Sequence, residues 1–205
     1  MAADALSSKG RQTRHAIEQA ARKLFAERGF HGTTLADITS AAGKSPAVFY
    51  RYFHDKEDLL AALAESFLHD VLAPSGLDVR LPDSPDDAEF FVSVVTGYWN
   101  IFKQNIGIMV AVAQLGATQQ RFAAVQNEFR RFGMDIVTAS VLRAQEQGYG
   151  RDLVPQYTAV AIALLFEQFT TVVLRPDAAD LGLRISDREA VATLATIWKK
   201  TLYGF

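Results

Sequence analysis

Residues 33–56 read T-T-L-A-D-I-T-S-A-A-G-K-S-P-A-V-F-Y-R-Y-F-H-D-K, and their order of caps and breakers decides the fold. Thr34, followed three residues later by Asp37, is a capping pair at a helix start. Leu35, Ile38, Ala41 and Ala42 then recur at helical spacing. Gly43 stands where a chain leaving a helix takes the left-handed conformation that glycine tolerates. Ser45 before Pro46 is a cap followed by a first-turn proline, so a new helix begins at once. Its apolar face, Phe49 and Phe53, is assigned to the core. Asp55 and Asp58 repeat the capping pattern and open a third helix. Two short helices across a tight turn form a helix-turn-helix, with residues 45–53 as the expected recognition helix.

The pattern extends in both directions. Upstream, Ile17, Ala20, Ala21, Leu24 and Phe25 make one helical stripe that ends at Gly29. The run A-A-R-K-L-F-A-E-R-G-F at 20–30, the motif itself and D-K-E-D-L-L at 55–60 resemble the N-terminal signature of the tetracycline-repressor (TetR) family of bacterial transcriptional regulators. The resemblance covers about the first third of the chain. It implies a homodimeric DNA-binding regulator, a repressor by expectation, whose divergent C-terminal part binds a small molecule and releases DNA.

Charge is divided in the same sense. The chain carries a net −2, yet residues 1–56 hold nine Lys/Arg against five Asp/Glu, whereas residues 57–205 hold twelve against eighteen. The positive end is the end with the helix-turn-helix, the footprint that phosphate requires. Lys44, Ser45, Ala47 and Val48 lie at the end of the recognition helix that such motifs push into the major groove. Lys44 and Ser45 can donate to phosphate or base edges; Ala47 and Val48 can meet only thymine methyls or fit by shape. Tyr50, Arg51 and Tyr52 offer donors to the flanking phosphates. Lys56 at a helix N-terminus opposes the macrodipole and would complete a phosphate site there. Thr33, Thr34 and His54 complete the candidate DNA contacts, with Lys9, Arg11 and Arg14 beside them near the first helix start. The resemblance supports backbone contacts for the aromatic pair around Arg51 and for the lysine after the turn. Many family members carry Gly-Thr or Gly-Asn where this chain has Ala47-Val48, which leaves base-specific donors scarce.

Beyond the motif no stretch alternates with period two, and the expected architecture is all-α with about nine helices: a three-helix DNA-binding domain at 9–56 and a larger ligand-binding and dimerisation bundle at 57–205. Residues 1–8 read as a small, polar tail. A helix runs from Lys56 to about residue 72, and residues 73–87, with four breaking residues, read as a loop. Helices are then expected from about 86 to 102, at 107–115, at 118–147, at 155–174 and, after the capping pair Ser186 and Glu189, to about 202. Aromatics crowd this part. Phe91, Tyr98, Trp99, Phe102, Phe129 and Phe166 are candidates for lining a cavity between helices, with Gln114 and Glu167 as polar groups that orient a small-molecule effector. The last two helices, 155–174 and 186–202, are apolar enough to pack on their symmetry mates in an isologous homodimer. Such a dimer would read a near-palindromic site on double-stranded DNA.

Other classes find little support. There is no cysteine, hence no disulfide and no thiolate metal site. No G-x-S-x-G, P-loop or H-E-x-x-H occurs, and the four histidines have no metal-ligand spacing, so neither an enzyme nor a bound cofactor or metal is expected. The acids at 83–89 are explained by a helix dipole. The first residues lack the apolar core of a signal peptide, and the most apolar run is broken by Glu167 and Gln168, so the expectation is a cytoplasmic protein with a buried helix rather than a membrane span. The alternative within the regulator class is a large domain that binds a protein partner; a cavity below roughly 300 Å³ would favour it.

Overall fold

The computed structural model describes residues 7–72 and 80–204. Among them are nine α-helices and no strand: α1 (Ser8–Arg28), α2 (Leu35–Ala41), α3 (Pro46–Phe49), α4 (Lys56–Leu72), α5 (Ala88–Gln104), α6 (Ile106–Gly116), α7 (Gln120–Glu146), α8 (Pro155–Leu174) and α9 (Asp187–Tyr203). A short 3-10 helix, Pro176–Leu181, links the last two. The all-α expectation holds. Most of the expected tail and residues 73–79 of the expected loop lie outside the described residues.

Packing divides the chain into two compact units that do not follow chain order: Met1–His69 with Asn105–Gln126, and Asp70–Gln104 with Asn127–Phe205. In the first, Ile17, Ala21, Leu24 and Phe25 of α1 close over Ile38, Phe49, Phe53, Leu59 and Leu63. Ile108, Ala111, Val112 and Leu115 of α6 join the same core, as does Phe122 at the start of α7. Chain order assigned these residues to the larger bundle. Gly107 makes the α6 contact possible, since a Cβ there would sit 2.5 Å from the backbone of Phe25 and Ala26. Within this unit the Glu57 carboxylate accepts from Gln119 (3.0 Å) and Arg121 (3.1 Å), tying the first turn of α4 to the start of α7.

The second unit is built on α5 and α9, which run antiparallel. Phe91 near the start of α5 meets Trp198 near the end of α9, edge to face, with ring centroids 5.2 Å apart. At the other end Lys103 bonds Asp187 at 2.6 Å. α5 carries apolar residues at 90, 91, 94, 95, 98, 99 and 102, and that stripe is what the rest of the unit covers. Val137 and Val141 of α7 with Ala159, Ile162 and Phe166 of α8 complete the core. Of the described helices, α8 is the one long and apolar enough to cross a bilayer by length and composition. It buries one face only, with Glu167 in the middle of that face.

Candidate functional site

The helix-turn-helix forms for the local reasons its sequence carries. The Thr34 hydroxyl accepts from the Asp37 N–H at 3.1 Å, and the Asp37 carboxylate accepts the Thr34 N–H at 2.8 Å, a closed capping box. Thr34 also donates its hydroxyl to that carboxylate, which is the main reason the Asp37 carboxyl titrates below its usual range. Gly43 takes a φ of +63° and sends the chain into α3, where Ser45 accepts from the Val48 N–H at 3.4 Å. α3 is shorter than expected. Its α-helical part ends at Phe49, and residues 50–53 continue as tight turns in which the Arg51 and Tyr52 N–H groups bond to Val48 and Phe49, three residues back. With Phe49 buried on one side, this turn leaves Tyr50 60% exposed on the other.

The candidate DNA contacts separate into two groups. Ser45, Ala47, Tyr50, Arg51 and His54 are exposed, and Lys44 and Val48 are half-buried with one side open. Among the described residues neither Lys44 nor Arg51 has an ion-pair partner. Tyr52 is half-buried against the core of its unit. Three of the candidates have their polar groups committed inside the protein. Thr33 is fully buried, and its hydroxyl donates to the Gly29 carbonyl at 2.8 Å. The Thr34 hydroxyl is held in the capping box. The Lys56 ammonium donates to the carbonyls of Phe30 (2.6 Å) and Thr33 (2.7 Å) and lies 4.2 Å above the Phe30 ring. Partial burial pushes its pKa down. The physical reason is shared: helix ends leave carbonyls and amides without partners, and the nearest capable side chains satisfy them. Arg14 is likewise engaged, bonding Glu18 at 2.8 Å and stacking over Phe53, while Lys9 stays exposed.

The second unit holds a partly open cavity of about 290 Å³. Of the residues expected to line it, Tyr98, Phe129, Phe166 and Glu167 do so; Phe91, Trp99 and Phe102 do not. Those three are buried in the surrounding core, Phe91 against Trp198. Gln114 lies in the other unit and is exposed, because the buried stripe of α6 runs through Ile108, Met109, Ala111, Val112 and Leu115 and leaves position 114 outside. Missed were Arg130, Trp198, Gly97 and Gly133. Gly97 and Gly133 create space, since a Cβ at either would meet nothing within 4 Å.

Arg130 makes a two-pronged bond to Glu167, at 2.6 Å from Nε and 2.8 Å from the guanidinium end. Glu167 is 7% exposed, and the bidentate partner is what lets a carboxylate stay at that depth. Glu167 stands in the sequence as a charge inside an apolar run, whereas Arg130, next to Arg131 in E-F-R-R-F, carries no such signal. The Tyr98 and Thr170 hydroxyls and the Nε1 groups of Trp99 and Trp198 are buried without a hydrogen-bond partner among the described residues. The Tyr98 hydroxyl lies beside that of Thr170 without reaching bonding geometry, and burial raises its pKa strongly. Among the described residues no cluster of three or more His, Asp or Glu could hold a metal.

Comparison with known proteins agrees with this geometry. The family profile described as "Bacterial regulatory proteins, tetR family" matches residues 17–63, from α1 into α4. The chain is 27% identical over 197 residues to the HTH-type transcriptional regulator EthR of Mycolicibacterium smegmatis, covering 92% of this chain and 85% of that protein. It is 29% identical over 149 residues to the HTH-type transcriptional repressor KstR2 of Rhodococcus jostii, covering 67% and 69%. The fold is shared with the transcriptional regulator FadR of Bacillus subtilis, solved with stearoyl-CoA, at a TM-score of 0.66, 18% identity and coverage of 93% and 98%. The helix-turn-helix with its caps, the all-helical architecture and these relatives point the same way: residues 17–63 match the tetR family of bacterial regulatory proteins, and over most of its length the chain is similar to transcriptional regulators of that kind.

Proposed function

We propose that this protein is a homodimeric transcriptional repressor that binds a near-palindromic DNA site and is released from it by a small molecule held in the cavity of the second unit. What carries the DNA half is the exposed ridge of Ser45, Ala47, Tyr50 and Arg51, raised on a buried Phe49 and flanked by Lys44. Here Ala47 and Val48 face bases, while Lys44, Tyr50, Arg51 and His54 take phosphates. Thr33, Thr34 and Lys56 shape the ridge from beneath. Selection of bound DNA from a random pool tests this directly. A recovered two-fold repeat supports the reading; recovery of no preferred sequence overturns it.

The dimer rests on α8 and α9. Tyr157, Val160, Leu164 and Leu165 on α8 and Ile197 on α9 are exposed, with Tyr157 at 75%. A stripe of that kind on an isolated chain suits an isologous two-fold contact. The effector half rests on the lining of the cavity rather than its size. A volume of about 290 Å³ falls just below the roughly 300 Å³ set for a ligand site, so size by itself leans toward the protein-partner alternative. The apolar wall of Tyr98, Phe129, Ile162, Phe166 and Trp198, with Gly97 and Gly133 leaving space between them, favours a bound small apolar molecule. Val71, in the last turn of α4, lines the cavity, and Lys56 stands at the first position of the same helix. We assign α4 the task of carrying the signal, which requires that the effector prefer the conformation unable to fit DNA. We read the protein as a cytoplasmic regulator and not an enzyme, in keeping with its relatives.

A further inference from the structure

The outer face of the helix-turn-helix carries an apolar patch, and its surroundings say what covers it. Phe49 is fully buried, which fixes the rotation of the helical turn 46–49. Ala47, two residues earlier, therefore lies on the opposite side, with Pro46 and Tyr50 beside it. Pro46 and Ala47 are exposed, and Val48 is half-buried. These three consecutive side chains carry no donor or acceptor, and Pro46 lacks a backbone N–H as well. Polar groups of the same motif are turned inward. The Ser45 oxygen accepts from the Val48 N–H, the Thr39 hydroxyl donates to the Ala36 carbonyl, and the Thr34 hydroxyl donates to Asp37. Cations frame the patch: Lys44 precedes it and Arg51 follows it. That charge fits a polyanion and disfavours a second copy of the same face, which would bring like charges together. In the major groove an apolar side chain finds one match on a base edge, the C5-methyl of thymine. The other groups there are donors and acceptors, and covering one with Pro46, Ala47 or Val48 removes its water without a replacement.

We infer that this protein reads its DNA site through the C5-methyl groups of pyrimidines, with Pro46, Ala47 and Val48 as the surface that meets them. This rests on the DNA-binding reading above and narrows it to one chemical group. Thymine is selected under the patch because it has the methyl, and cytosine is accepted there better when it is methylated at C5. Binding is thereby sensitive to the methylation state of the DNA at those positions.

The test uses the full-length purified protein and the DNA recovered by selection from a random pool. Each thymine of the site is replaced in turn by deoxyuridine, which keeps every hydrogen-bonding group and removes only the methyl. At one or more thymines in each half-site the affinity should fall about fourfold, the worth of one buried methyl. With cytosine at such a position, the C5-methylated base should bind about fourfold more tightly than the unmethylated one. Ala47→Gly combined with Val48→Ala should bring the thymine-to-uracil ratio below about twofold. Each protein is compared with itself on two duplexes, so a loss of stability cancels. Recovery of no preferred sequence removes the DNA reading and the inference together. A preferred sequence in which deoxyuridine costs nothing at any thymine overturns the inference and leaves DNA binding standing, and equal binding of the two cytosines does the same. A methyl effect undiminished in the double variant overturns the assignment to these residues and places the effect in the deformability of the duplex.

Discussion

The Lys56 ammonium lies 2.7 Å from the Thr33 carbonyl oxygen, and through it the first turn of α4 is bonded to the corner between α1 and α2. A cation at a helix N-terminus has unfavourable dipole energy. Here two carbonyls and the face of the Phe30 ring offset it. The residue therefore sets where α4 begins relative to the helix-turn-helix.

Replacing Lys56 separates this role from phosphate binding. Lys56→Met should lower stability by about 1–2 kcal/mol, the net worth of two hydrogen bonds to a partly buried cation. DNA affinity should fall with it, while the slope of log affinity against log salt stays at the wild-type value. A slope reduced by about one would show that the ammonium meets phosphate instead.

Arg51 and Lys44 should behave in the opposite way. Each Ala substitution is expected to leave the melting temperature within about a degree, since charged groups that are exposed or half-exposed and have no ion-pair partner among the described residues contribute little. Each should reduce the salt slope by about one and weaken binding to all sequences alike. Equal slopes for wild type and Arg51→Ala would remove Arg51 from the interface.

Breaking the Arg130–Glu167 pair from one side should be costlier than removing both charges. Arg130→Met or Glu167→Met alone is expected to destabilise by about 2–3 kcal/mol, below the fully buried range because Arg130 retains some exposure. The double variant with Met at both positions should recover most of that loss. Denaturant unfolding of the four proteins gives the coupling energy; additive single effects would mean that the pair is not energetically linked.

Stability should fall in acid through the capping boxes. Hydrogen bonds from Thr34 hold the Asp37 carboxyl below 3.8, and those from Ser186 hold Glu189 below 4.5. Because the folded values are the lower ones, the unfolded chain binds protons first. The stabilisation is complete above the unfolded values and is lost as pH falls through the folded ones. Thermal melts should show Asp37→Ala with Glu189→Ala less stable than wild type at neutral pH, with the gap closing at pH values below the folded range. A constant gap would assign the loss to something other than the ionised carboxylates.

The exposed stripe of α8 gives a prediction about assembly. Leu164→Arg with Leu165→Glu should yield a monomer in sedimentation at micromolar concentration where wild type is a dimer, with helicity unchanged. DNA affinity should drop steeply, because a monomer engages one half-site only. A wild-type chain that sediments as a monomer contradicts the proposed dimer outright.

What the sequence determined by itself is whatever depends on neighbours a few residues apart. The capping boxes at Thr34–Asp37 and Ser186–Glu189, the left-handed Gly43 and the stripe of α5 each follow from steric and hydrogen-bonding rules acting within one or two turns. These sufficed for the helix-turn-helix and the helix order. What only the tertiary structure decided is every feature that joins distant segments. Lys56 reaches carbonyls 23 and 26 residues away, and Arg130 finds an acid 37 residues away. Gln114 seemed a ligand-orienting group because its run is apolar, yet the rotation of α6 against α1 turned it outward. A cavity, too, is an absence of atoms shared by several helices. Its outline here depends on two glycines, Gly97 and Gly133, whose missing side chains acquire meaning only once Phe129, Phe166 and Trp198 are placed around them.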